Sequence, residues 1–155
     1  MSEEEYQILW NKAMKSYRAT GNSRGLKSNK NSGTPMLQYQ RGAAWYATGT
    51  AVNFDKKISN FGMEQNYKNG VVTITDPGIY LIQSTLYNGG DKTMSHRLIK
   101  DHQITVVELW NKSWLTSELT HIMYLDFLDT INIRLAGGGP HYHANKGYFS
   151  VIKLD

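Results

Sequence analysis

Two short stretches of the chain hold the residues best able to do chemistry. His141-Tyr142-His143 follows a glycine run, and two histidines alternating on one strand face can hold a metal ion. A cupin-type metal site begins this way, but it needs a glutamate a few residues on. Here Ala144, Asn145, Lys146 and Gly147 follow, and no carboxylate comes before Asp155. The pattern therefore fits polar loop histidines better than a cupin-like metalloenzyme, and no metal ligand set is assigned. In the second stretch, Trp110 and Trp114 flank the turn Asn111-Lys112-Ser113. Such a pair can stack on sugar rings or anchor a protein partner, or one indole can enter the core while the other covers a sheet edge. The loop residues 137–142 form a second polar, aromatic-tipped contact surface.

Other catalytic patterns are missing. There is no Gly-x-Ser-x-Gly elbow, P-loop or His-Glu-x-x-His motif, and with no cysteine the chain has no thiol nucleophile, thiolate metal site or disulfide. Asp126 and Asp129 are paired acids. The expectation is a non-enzymatic protein with no catalytic residue and no cofactor.

These residues need elements to position them. At 155 residues the chain suits one domain with a short appendage, and 14 glycines with only 3 prolines suit a turn-rich globular fold. No apolar run has the roughly 18–20 residues of a membrane helix, and the acidic opening Ser2-Glu3-Glu4-Glu5 does not read as a secretory signal. The net charge of +4 is uneven. Residues 1–48 hold seven bases and three acids, whereas residues 49–155 balance ten against ten. A basic N-terminal third on a neutral body suggests contact with something acidic, or simple solvation. Seven scattered bases without a recognition motif argue against nucleic-acid binding as the main role.

Residues 2–18 read as one amphipathic helix. Ser2 and Glu5 form a capping-box pattern, acids fill the first turn and bases the last, and Tyr6, Leu9, Trp10, Ala13, Met14 and Tyr17 make one apolar stripe. A helix this short is marginal alone, so the stripe must bury against its own body, a sister chain or a partner. Residues 20–35 are polar and dotted with glycine. The division expected is an anchor helix over 1–19, a basic extended arm over 20–40 and a folded head over 41–155.

After Leu37, short β-patterned runs alternate with turn signals. The candidate strands are Ala44–Phe54, Gly70–Thr75, Ile79–Tyr87, Met94–Lys100, Ile104–Trp110, Trp114–Leu125, Thr130–Leu135 and Gly147–Leu154. About eight short strands without intervening helices predict an all-β antiparallel sandwich or jelly roll.

Four motifs in order carry a family resemblance. Within Phe54–Ile82, Pro77-Gly78-Ile79-Tyr80 is the most specific. It is followed by Arg97–Ile104, by Leu125–Ile133 and by the closing Phe149-Ser150-Val151-Ile152-Lys153-Leu154. Together they resemble the C1q/TNF-like superfamily, nearer its C1q-like branch, over residues 45–154. Departures are Leu128 before Asp129 where Gly is usual, Asp101-His102 for Asn-Gly, and Val151 for Gly. The resemblance implies a ten-stranded jelly roll assembling as a homotrimer, with Tyr80, Tyr148, Phe149 and Ile152 in the core or the threefold seam. The chain from residue 111 is dense in aromatic and large aliphatic residues, and surplus apolar faces need a partner.

The function expected is a trimeric virion structural protein, most similar to a bacteriophage capsid decoration or tail attachment knob. Residues 1–40 would dock on a capsid or tail protein, and the loops would be free for a host-surface glycan or protein. A secreted C1q/TNF-like ligand or lectin is the alternative.

Overall fold

The computed structural model describes residues 2–11, 34–40, 49–136 and 147–155. Residues 3–11 form a helix, α1. The strands are β1 (Met36–Gln40), β2 (Lys56–Phe61), β3 (Tyr67–Lys68), β4 (Val71–Thr73), β5 (Gly78–Tyr87), β6 (Met94–Lys100), β7 (Ile104–Asn111), β8 (Thr116–Leu125), β9 (Thr130–Ala136) and β10 (Tyr148–Lys153). They make two five-stranded antiparallel sheets, ordered β2-β1-β10-β5-β8 and β3-β4-β9-β6-β7. Strands distant in sequence become neighbours, as in a jelly roll.

Period-two patterning explains the layers. Along β5, Tyr80, Ile82, Ser84 and Leu86 are buried while Leu81, Gln83, Thr85 and Tyr87 are half-buried. On β9, Ile131, Ile133 and Leu135 join the core from the other sheet. Phe54 and Phe149 meet between the sheets with ring centroids 5.5 Å apart. Tight turns join the strands. Asn69 and Gly70 both have positive φ between β3 and β4, as a type I′ hairpin demands. Asp101 and His102 adopt the same left-handed region between β6 and β7. That hairpin forms without glycine because Asp101 Oδ1 accepts the Thr130 N–H at 2.9 Å and the Asp101 N–H donates to the Thr130 carbonyl at 2.9 Å.

The helix begins as its capping box predicts. Ser2 N–H donates to Glu5 Oε2 at 3.2 Å and Glu5 N–H to Ser2 Oγ at 3.1 Å. Its continuation over 12–18, including Ala13, Met14 and Tyr17, lies outside the described residues.

Two strand assignments need correction. No strand runs over 49–54; the described part of the Ala44–Phe54 candidate lies along β9 through an isolated bridge from Ala51 to Arg134 and N–H bonds from Gly49 and Val52 to the Leu135 and Ile133 carbonyls. The other correction concerns Met36–Gln40, which falls within the segment read as an arm. It forms β1 between β10 and β2, with Leu37 opposite Val151 and Tyr39 opposite Phe149. Gln38 and Gln40 disguise it, since only Leu37 and Tyr39 face inward and the outward positions tolerate polar residues. β2 and β3 were not anticipated: Lys56–Phe61 is mostly polar, and two residues are too few for a pattern.

Candidate functional site: the double-tryptophan turn and its flanking face

β7 and β8 belong to different sheets, so residues 112–115 between them turn across one end of the sandwich. Both indoles project there. Trp110 is 64% exposed and Trp114 59%, with Leu115 exposed beside them. Neither indole enters the core, so the arrangement with one of them buried does not occur. Trp114 has φ +61°, a conformation a bulky residue keeps only when its surroundings impose it.

Two buried carboxamides impose it. Asn88 Nδ2 donates to the Lys92 carbonyl at 2.8 Å and the Asn111 carbonyl at 3.1 Å, while its Oδ1 accepts the Gly90 N–H at 3.0 Å. Its backbone accepts the Trp114 N–H at 2.6 Å and donates to the Leu115 carbonyl at 2.8 Å. Asn111 Nδ2 donates to the Leu115 carbonyl at 3.0 Å. The tryptophans are therefore presented on a pinned turn, which lowers the entropy cost of binding anything that stacks on them. Asn88→Ala would strand two buried backbone groups, the Asn111 carbonyl and the Gly90 N–H, and is expected to cost about 2–3 kcal/mol in urea unfolding. A value near zero would mean that Asn88 does not hold the turn.

Trp110 also borders the outward face of the second sheet. Ser95 lies opposite Trp110, and Arg97 opposite both Glu108 and Arg134. Arg97 Nε donates to Ser95 Oγ at 2.8 Å and pairs with Glu108 Oε2 at 3.4 Å.

One arrangement inside the sandwich looks like nucleophile and base. His96 on β6 reaches Ser84 Oγ from Nε2 at 3.1 Å and Ser117 Oγ from Nδ1 at 2.8 Å. All three side chains are buried, and no carboxylate joins them among the described residues. Burial lowers the imidazole pKa to about 4, which keeps it neutral. The contact ties β6 of one sheet to β5 and β8 of the other.

The remaining candidates are placed as follows. Tyr80 and Phe149 lie in the main core, and the Tyr80 hydroxyl donates to the Asp76 carbonyl. Tyr148 is half-buried. Ile152 is half-buried beside a second apolar cluster, Ile79, Ile122 and Leu154, against which Leu9 and Trp10 of the chain's own helix also pack, and Tyr6 stacks on His121 with centroids 6.0 Å apart. His141, Tyr142 and His143 lie outside the described residues. Among those described, no three His, Asp or Glu side chains converge as metal ligands would, and no helix is long and apolar enough to cross a membrane. Asp129 Oδ2 accepts the Asp126 N–H at 2.7 Å and pairs with Lys100 at 3.4 Å, so this acid builds a turn. Sequence reasoning missed Asn88, Asn111 and His96. Asn88 stands in a glycine-rich turn and Asn111 at the start of the tryptophan-flanked one, which could have marked them, whereas His96 sits in a strand with partners 12 and 21 residues away.

Comparison with known proteins finds no matching protein-family profile and no matching curated sequence. Solved structures do match. The globular domain of zebrafish complement 1qA protein superposes with TM-score 0.63 at 14% identity, covering 78% of this chain and 98% of that domain. Murine APRIL at pH 5.0 gives TM-score 0.67 at 15% identity, covering 79% and 100%. The fold is thus the C1q/TNF-like jelly roll.

Proposed function

We propose that this chain is a non-enzymatic, homotrimeric binding head of a virion, a capsid decoration or tail attachment knob that carries ligand-contacting aromatics at one end. The observation carrying the trimer is the outward face of the β2-β1-β10-β5-β8 sheet. An outward face exposed to water is ordinarily polar. Here its positions include Met36, Ile79, Leu81, Tyr87, Ile122, Tyr124, Tyr148 and Ile152, and the described contacts of α1 fall on the residues nearest the Gly78 end. Three such faces closed about an axis would bury what one copy leaves half-covered. Support for a virion setting comes from the sequence: the excess positive charge lies in the N-terminal third, where a capsid or tail protein would be met.

A second reading, a secreted C1q/TNF-like ligand or lectin, is favoured by one observation. Leu9 and Trp10 of the helix pack on the chain's own sheet, which makes the helix part of the head.

Light scattering is expected to give three times 17.6 kDa, and Gln83→Arg, outward on β5 between β10 and β8, is expected to return folded monomers. A wild-type monomer overturns the trimer. Deleting residues 1–33, which spares β1, should leave a trimer that no longer incorporates into particles. A ligand would keep its target binding after the same deletion.

A further inference from the structure

We propose that the outward face of the second sheet, where Arg97 and Arg134 lie opposite each other and Trp110 stands two residues along on the edge strand, binds a saccharide bearing a carboxylate. The inference gives the binding role above a ligand class and rests on that role. It is independent of the trimer, whose face belongs to the other sheet.

The charge arrangement carries it. Arg97 and Arg134 are directly opposite on β6 and β9, a like-charge pairing that sheets normally avoid. The single carboxylate beside them, Glu108, is engaged with Arg97 at 3.4 Å. Among the described residues no carboxylate lies within ion-pair distance of Arg134, and its Nε has no hydrogen-bond partner. Next along the same side of β9, both amide atoms of Asn132 are buried without partners. Two adjacent guanidinium groups sharing one acid leave a net positive charge that a planar, bidentate acceptor would neutralise.

The aromatic neighbour selects a sugar over a bare anion. The hydrogen bond from Arg97 Nε to Ser95 draws this guanidinium toward the row that holds Trp110, because Ser95 and Trp110 are opposite. Trp110 is held in a strand, its ring is mostly exposed, and the turn beyond it is pinned by Asn88 and Asn111. An indole offers a flat face to the C–H side of a pyranose and little to a small inorganic ion. Sheet geometry sets the Cα atoms of Trp110 and Arg134 about 12 Å apart, two strands across and two residues along. With both side chains rising from the sheet, one or two sugar rings span that gap.

The test is titration of the full chain with N-acetylneuraminic acid and glucuronic acid, followed by tryptophan fluorescence and by calorimetry. At least one acid should saturate, with glucose at least about 10-fold weaker. Trp110→Ala and Arg134→Gln should each weaken binding about 10-fold or more while the melting temperature stays near that of the parent. Trp110→Ala guards against misfolding, since this side chain is mostly in water. Equal binding of glucose would overturn the proposal. So would unchanged affinity in both variants, saturation by a glutamate-rich peptide but by neither sugar acid, or no saturation by either acid up to about 50 mM.

Discussion

Gly70→Ala is expected to destabilise the protein by about 3–5 kcal/mol, lowering its melting temperature by roughly 10 °C or more. Gly70 has φ +87°, and a Cβ built there would meet the Val52 carbonyl oxygen at 2.3 Å and its carbon at 2.9 Å. Neither can give way cheaply. The Val52 N–H donates to the Ile133 carbonyl at 2.7 Å, and the Val52 side chain is buried in the main core. The left-handed conformation alone costs an alanine about 1–2 kcal/mol, and the backbone clash adds a displacement of a pinned segment. Gly49→Ala separates the two contributions. Gly49 has φ +80° with nothing within 4 Å of the added carbon, so it should lose only the conformational part. If the two variants melted together, close packing of Val52 over the β3–β4 turn would not be what Gly70 serves.

The residues on either side of this turn mark how far the sequence could be read. Asn69-Gly70 and Asp76-Pro77-Gly78 announce turns through their own backbone preferences, and β5, β6, β7 and β9 announce strands through alternation, so local chemistry suffices for them. β1 needed non-local information. Its register, Leu37 with Val151 and Gln38 with Ser150, joins segments more than a hundred residues apart, and only burial beside β10 makes Met-Leu-Gln-Tyr-Gln a strand. The site divides in the same way. The tryptophan pair was visible as a motif. The pinning of its turn by Asn88 and Asn111 was not, because a carboxamide's role depends on which carbonyls the fold brings near it. The Arg97–Arg134 pairing was equally hidden, since two arginines 37 positions apart become neighbours only when β6 and β9 pair.

His96 is the extreme of this kind, and it predicts acid sensitivity at a definite pH. Burial lowers its pKa from 6.5 to about 4, and the groups it meets are the hydroxyls of Ser84 and Ser117, with no carboxylate among the described residues to welcome a proton. The unfolded chain takes up that proton near pH 6.5 and the folded chain not until about pH 4. Protonation therefore favours unfolding. The stability His96 supports is complete above pH 6.5, falls as pH drops, and by pH 4 is reduced by about 3 kcal/mol. His121, whose pKa burial also lowers, pulls the same way, while Asp101, held low chiefly by its hydrogen bond from the Thr130 N–H, acts in the more acidic carboxylate range. Urea midpoints at fixed protein concentration between pH 7.5 and 4.5 should decline steadily for the parent and for His121→Gln. His96→Gln keeps a polar group between the serines but cannot titrate. It should begin less stable at pH 7.5 and lose most of the slope, so its curve meets the parent's on the acid side. A His96→Gln variant with the parent's full slope would mean that the sandwich opens to acid somewhere other than at the bridge between its sheets.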